Sequence, residues 1–319
     1  MPPPPDLADA AIPHGQTARR LEWPLLPPYL RRAIEERLGS PVVDAHSAGA
    51  GYTPGFASTL TVRDGQRQFV KAASVRAQRP FADAYRIEIR RLRELADTGV
   101  RLPVPRLLWA HEDGSWVVLG LEYVEGGNPA RPWRRDELDQ CLDTLEVLAE
   151  AVTPSPLSVP SFAEDVADML PCWEHVRAVA PEWPHLDEAV ALAARIADAT
   201  RGETLVHTDA RDDNFLLAAS GPVLCDWNWT TQGAAWIDTV CLLIAAHGDG
   251  VDADEIVASR RLTCDVPPDD IDTVLSLLAG YFLERRDQPA PNSSPYLRVH
   301  QSWYAEATWG WLAKRRGWS

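Results

Sequence analysis

The sequence predicts an α+β chain in two lobes, a small N-terminal antiparallel β-sheet with one key helix and then a larger, mainly helical lobe. Three observations carry this expectation. Short alternating segments joined by Gly- and Asp-bearing turns dominate residues 41–73 and 106–124. A single amphipathic stretch, 81–97, stands between them. Beyond Glu125-Gly126-Gly127-Asn128-Pro129 the apolar spacing is helical, broken only by a strand-rich insert from Glu203 to Trp229.

The elements follow in chain order. Residues 1–16 are rich in Pro and Ala and are expected to be disordered. Residues 27–38 start on proline, keep helical spacing and stop at Gly39. A strand over Pro41–His46 leads into a small-residue loop, Ala48 to Gly55. Ala57–Val62 alternates up to Arg63-Asp64-Gly65-Gln66, a good hairpin turn, and Arg67–Ala73 returns. The helix over 81–97 has Ile87, Leu92 and Leu95 among its apolar positions and Glu88 within it. Strands around 106–110 and 115–124 flank the turn Glu112-Asp113-Gly114. Helices are then expected over 135–152, 162–178, 186–200, 236–247, 252–260, 269–285 and 296–315, with no internal repeat.

The chain has 319 residues, with 31 Lys+Arg against 46 Asp+Glu, a net charge of −15, and an apolar share of 45%. That apolar share supports a core and argues against global disorder. The acid excess argues against a nucleic-acid or anionic-membrane binder and points to a cationic partner. Residues 1–150 hold 21 acids and 19 bases, whereas 151–319 hold 25 acids and 12 bases, so the second half carries −13. Only Lys71 and Lys314 among the basic residues are lysines, which makes each position worth locating. The five scattered cysteines contain no CxxC pair, so neither a disulfide framework nor a zinc site is expected, and a reducing cytoplasm fits. The N-terminus lacks the basic and apolar regions of a signal peptide, and no 18-residue apolar run reads as a membrane span.

In the insert, an apolar strand delivers a polar loop, Leu205-Val206-His207-Thr208-Asp209-Ala210-Arg211-Asp212-Asp213-Asn214, and a hairpin then delivers Cys225-Asp226-Trp227. The pattern His-x-Asp-x4-Asn followed by Asp-Trp resembles aminoglycoside phosphotransferases and related small-molecule kinases, which share the protein-kinase-like fold. The likeness extends to the small-residue loop, to Lys71 on a strand and to Glu88 on the following helix, and spans about residues 45–245. It implies a nucleotide-binding lobe over 17–121, a hinge over 122–128 and a helical catalytic and substrate-binding lobe over 129–319.

Phosphoryl transfer passes through a loose transition state, so positioning and electrostatics do the catalysis. The resemblance implies that Asp209 accepts the hydrogen bond of the acceptor hydroxyl and that Asn214 and Asp226 ligate Mg²⁺. It implies that Lys71, paired with Glu88, contacts ATP phosphates, while the loop with Gly49 and Gly51 lets backbone N–H groups approach them. Glu94 competes with Glu88 for the pairing role. Arg211 is expected to neutralise the migrating phosphoryl group, and the Glu122 carbonyl and Val124 N–H are the candidates for reading the base at the hinge. GTP remains open beside ATP. His207 reads as a structural hydrogen-bonder, and Asp238 either braces the loop or serves as a helix N-terminal charge.

The position between His207 and Asp209 is commonly glycine in antibiotic kinases, but here it is Thr208. A protein kinase is disfavoured because Trp227–Ile237 leaves no room for an activation platform. No Gly-x4-Gly-Lys-Ser/Thr exists for a P-loop enzyme, and no Gly-x-Ser-x-Gly elbow for a serine hydrolase. The acceptor is expected to be a hydroxyl-bearing small molecule, polar or cationic, with aminoglycosides, sugars and amino alcohols open. Asp212, Asp213 and acids of the last helices are candidate contacts. The rival reading is a catalytically silent, kinase-like nucleotide-binding regulatory module.

Overall fold

A computed structural model describes residues 18–49, 51 and 54–318. The expected disorder of 1–16, and positions Ala50, Tyr52 and Thr53 of the small-residue loop, lie outside the described residues.

Helix α1 (Pro28–Leu38) starts on proline and ends at Gly39 in the left-handed region, φ +76°. Strands β1 (Val42–Ser47), β2 (Phe56–Val62) and β3 (Arg67–Ser74) follow, then helix α2 (Arg79–Asp97) and strands β4 (Leu107–Glu112) and β5 (Trp116–Glu122). The strands form one antiparallel sheet in the order β1-β2-β3-β5-β4. The period-2 alternation sorts side chains between its faces. Val70 and Ala72 of β3 and Trp116 and Val118 of β5 join Leu30, Ile34 and Leu38 of α1 in one core. Ala73, Val117, Leu119 and Leu121 face the other way, into a core shared with Tyr85, Ile89, Leu92 and Leu95 of α2. Lys71 has the parity of Ala73 and therefore projects to the α2 side. Ile89 rather than Ile87 occupies the buried stripe of α2, with Ile87 only half-buried.

After β5 the chain makes a two-residue strand, β6 (Gly126–Gly127), which pairs with β8 (Phe215–Ala218). The Asn128 amide donates to the carbonyls of Asp213 and Phe215 at 3.1 and 2.8 Å, so this glycine-rich break is pinned to the insert. Helix α3 (Arg135–Ala151) matches its expected span. The helix expected over 162–178 is instead α4 (Phe162–Asp165), a 3₁₀ turn at Ala167–Met169 and α5 (Cys172–Val179). Pro171, which a helix interior does not accommodate, separates the last two. The helix expected over 186–200 is likewise split into α6 (Leu186–Ala193) and α7 (Ile196–Ala199).

The insert contributes β7 (Thr204–Val206), β8 and β9 (Gly221–Leu224). It also holds β10 (Thr231–Gly233), which sequence patterning missed and which pairs with β7. Helices α8 (Ile237–Gly248), α9 (Ala253–Ser259), α10 (Pro268–Arg286) and α11 (Leu297–Arg316) complete the chain. Helix α8 is buried along almost its whole length, which explains its uniformly apolar sequence. The five cysteines are free, and among the described residues no helix is long and apolar enough to cross a membrane.

Candidate active site

A cleft of about 560 Å³ lies between the sheet and the helical lobe. All ten sequence-predicted site residues except Glu88 line it. Glu88 stands behind Lys71.

Lys71 sits on β3, the central strand, in register with Ala57 of β2 and Leu119 of β5. Its Nζ donates to Glu88 Oε1 and Oε2 at 2.9 and 3.0 Å, and also to Asp226 Oδ1. Glu94 pairs with Arg91 instead, at 2.9 Å. Burial would pull the ammonium below its ordinary value, but Asp226 and Glu88 overcome this and hold it above. Two carboxylates thus share one cation. Burial raises the more deeply enclosed Glu88 despite Lys71, while the lysine's charge and hydrogen bond hold Asp226 down. The Tyr85 phenol closes this corner, its pKa pushed up to about 12 by burial. A Cβ at Gly55 would lie 2.6 Å from that oxygen, so only glycine lets the loop pass.

Asp209 and Asn214 are joined directly. The Asn214 amide donates to the Asp209 carbonyl at 2.8 Å and to Asp209 Oδ2 at 3.0 Å, leaving the amide oxygen as a cation donor. Cys225 N–H donates to the Asn214 carbonyl at 2.8 Å, and Phe215 pairs with Leu224, so the β8–β9 hairpin sets Asn214 beside Asp226. An amide oxygen and a carboxylate are hard donors of the kind Mg²⁺ takes together with substrate phosphates, so the residues present fit that ion.

Asp238, at the start of α8, receives the N–H groups of His207 and Thr208 at 2.7 and 2.8 Å. The His207 ring contacts the Cys225 carbonyl at 2.7 Å and meets Trp227 edge-on at 5.0 Å, which couples the Asp209 loop to the Asp226 loop. Two non-glycine residues here have left-handed backbones, Thr208 at φ +67° and Asp226 at φ +64°. The first occupies the position where the resemblance leads one to expect glycine, and a β-branched residue is strained in it. The Thr208 hydroxyl offsets this by donating to the Trp229 carbonyl at 2.6 Å.

Arg211 lies 3.2 Å from both Asp209 Oδ1 and Asp213 Oδ1 through Nε, with His300 of α11 at 3.3 Å from Nη1. Burial raises the Asp213 carboxyl to about 7 against the pull of Arg211. Asp212 turns away to a buried pair with Arg131 at 3.0 Å and lines no part of the cleft, which corrects its assignment as an acceptor contact. Glu122 and Val124 line the cleft beside Ala57, Phe69 and Leu216, an apolar slot between the two lobes. The Glu122 carboxylate is held by Arg106, whose Nε donates to it at 2.6 Å.

Sequence reasoning missed the helical wall of the cleft. Phe162, Val166, Met169, Trp229, Ile244, Leu278, Tyr281, Phe282 and Leu297 line it, with Asp165 as an acid among them. Their spacing is that of ordinary core, so no local signal distinguishes them. Arg20 was missed for a different reason, since it precedes every motif.

Comparison with known proteins bears on the fold and the family. A choline kinase from Streptococcus pneumoniae superposes with a TM-score of 0.56 at 14% identity, over 88% of this chain and 99% of that one. A spectinomycin phosphotransferase bound to ADP and spectinomycin gives 0.57 at 11% identity, over 89% and 94%. An aminoglycoside phosphotransferase from Alicyclobacillus acidocaldarius gives 0.52 at 17% identity, over 86% and 92%. No curated protein sequence matches the chain. The fold is thus the bilobal one shared by these kinases, and, with the model of the phosphotransferase enzyme family matching residues 54–270, the chain belongs to that family.

Proposed function

We propose that the protein transfers the γ-phosphoryl group of ATP, with Mg²⁺, to a hydroxyl of a small molecule with a largely apolar or aromatic body and one cationic centre. The observation that carries the reaction is the placement of Asp209, between the Lys71–Asp226–Asn214 cluster and the open helical wall. Asp209 orients the acceptor hydroxyl and takes its proton late in transfer. Asn214 and Asp226 hold Mg²⁺, which when bound supplies charge to the phosphate oxygens. Lys71, steadied by Glu88, contacts the phosphates from the sheet side, and Gly49 and Gly51 offer backbone N–H groups. The adenine occupies the slot under Ala57 and Phe69, read by the Glu122 carbonyl and Val124 N–H. Arg211 beside Asp209 tempers the charge of the transferred group.

The acceptor class follows from where the acids of the second half lie. Asp252, Asp254, Asp269 and Asp272 are engaged by Lys314, Arg315 and Arg316 away from the cleft. Within the cleft, Asp209 and Asp213 face Arg211 and Asp226 faces Lys71. Asp165 alone among the cleft acids of that half has no basic partner among the described residues, and burial raises its carboxyl. The net −13 therefore does not become a polyanionic acceptor surface. An aromatic wall with one carboxylate favours a monocationic, amphipathic alcohol over a polycation.

Phosphorus NMR with the full chain, ATP, Mg²⁺ and a panel of aromatic and aliphatic amino alcohols, sugars and aminoglycosides tests this reading. A phosphate monoester forming fastest on the monocationic amphipathic alcohols is expected. Preference for a polycation overturns the acceptor class, and ATP binding with no transfer to any alcohol favours the silent regulatory module.

A further inference from the structure

Residues 18–26 precede the span matched by the family and run between the lobes. Arg19 N–H donates to the Ser293 carbonyl, in the loop between α10 and α11, at 2.8 Å. A few residues on, Leu21, Trp23 and Leu26 pack into the core on the α1 face of the sheet, with the Trp23 ring 6.2 Å from Phe56. One end of the segment is therefore fixed to the helical lobe and the other to the sheet. Between these anchors the Arg20 side chain enters the cleft, where it shares the lining with Gly51, Lys71, Asp209 and Asp226.

Its position is the phosphate end. A Cβ built on Gly51, whose φ is +88°, would lie 2.9 Å from Arg20 Nη2, so the guanidinium tip lies against the backbone of the small-residue loop. Burial lowers the guanidinium from its ordinary value, against the fields of Tyr85, Asp226 and Asp213. Among the described residues, the lysine and arginine side chains that line the cleft are Arg20, Lys71 and Arg211. Lys71 and Arg211 are each matched by two carboxylates. Three or four phosphate charges entering beside them call for a further cation, and a planar fork of N–H donors suits phosphate oxygens better than a point charge.

We propose that Arg20 is a phosphate-binding residue of this active site, supplied by a segment N-terminal to the residues that the family model matches and held in place by contacts to both lobes. The inference rests on reading the site as an ATP-dependent phosphotransferase. Arg20 neutralises the outer phosphates from the side of the small-residue loop, against whose backbone its guanidinium tip lies.

Calorimetric titration of the full chain with ATP, ADP and AMP, each with Mg²⁺, provides the test independently of any acceptor. Arg20→Ala should weaken ATP at least about tenfold, the size of one charged hydrogen bond, and leave AMP unchanged. Arg20→Lys should recover part of the loss, and Arg19→Ala, on the exposed neighbour, should bind all three as the wild type does. A parallel loss for ATP and AMP would mean that the segment only shapes the cleft, and no loss at all would remove Arg20 from the phosphate site. Tighter ATP binding in Arg20→Ala would make the guanidinium a plug over Asp226; each of these three results overturns the proposal. A wild-type chain that binds no ATP sinks the functional reading itself, and the proposal with it.

Discussion

The two sides of the cleft are built on opposite principles. On the side proposed to hold the nucleotide, charges are arranged in closed groups, with buried Lys71 between buried Glu88 and half-buried Asp226 and with Arg211 between Asp209 and Asp213. On the side proposed to hold the acceptor, apolar and aromatic residues from α4, α8, α10 and α11 make a wall in which Asp165 has no basic partner among the described residues. Phosphates look the same in every reaction of this type, so their receptor needs particular ionic groups at particular places. Acceptors differ in shape, and shape is recognised by packing.

Three substitutions probe this contrast, from the largest effect down. Asp209→Ala strikes the point where the sides meet. Transfer should fall about 10²–10⁴-fold, the usual share of a general base, while ATP affinity measured by titration stays within a fewfold of wild type. Unchanged turnover would remove Asp209 from the reaction. Lys71→Met strikes the charged side. It leaves the buried Glu88 carboxylate without its cation and beside Asp226, and urea denaturation should show a loss of about 3 kcal/mol together with lost ATP binding. A variant as stable as wild type would mean that the cluster is solvated. Asp165→Asn strikes the apolar side at a carboxylate with no basic partner among the described residues. KM for cationic acceptors should rise about tenfold with kcat nearly kept, and neutral alcohols should not respond. An equal rise for both would reduce Asp165 to a packing residue.

The same contrast explains which parts were legible in the sequence. His207, Asp209, Asn214 and Asp226 fall within twenty residues because one loop and one hairpin carry them, and hard ligands at short fixed spacing are a pattern that core packing does not imitate. Lys71 stood out because the chain has two lysines and one lies on a strand. The apolar wall of the cleft draws residues from Phe162 to Leu297, and a leucine facing a cleft has the same neighbours in sequence as one facing the core. Asp165 hid inside a stretch whose apolar spacing predicted one continuous helix, whereas the chain there is two helices and a 3₁₀ turn. Asp212 erred in the opposite direction, an acid beside the motif whose real partner, Arg131, is 81 residues away. Net charge does not say where in the cleft an acid is free to meet a cation, because a sum over residues does not record which of them are already paired.

The left-handed backbone at Thr208 and Asp226 has a consequence for how the enzyme meets its ligands. Each such residue raises the energy of the folded state by about 1–3 kcal/mol unless its surroundings fix it. Here Asp238 takes two backbone N–H groups and the Trp229 carbonyl takes the Thr208 hydroxyl. The loop is thus ordered by the fold before any nucleotide arrives, and the ordering entropy has been spent in folding rather than in binding. On the proposed reading, Asp209 and Asp226 are preorganised, so that the free energy of each contact a ligand makes with them would go into affinity and transition-state stabilisation.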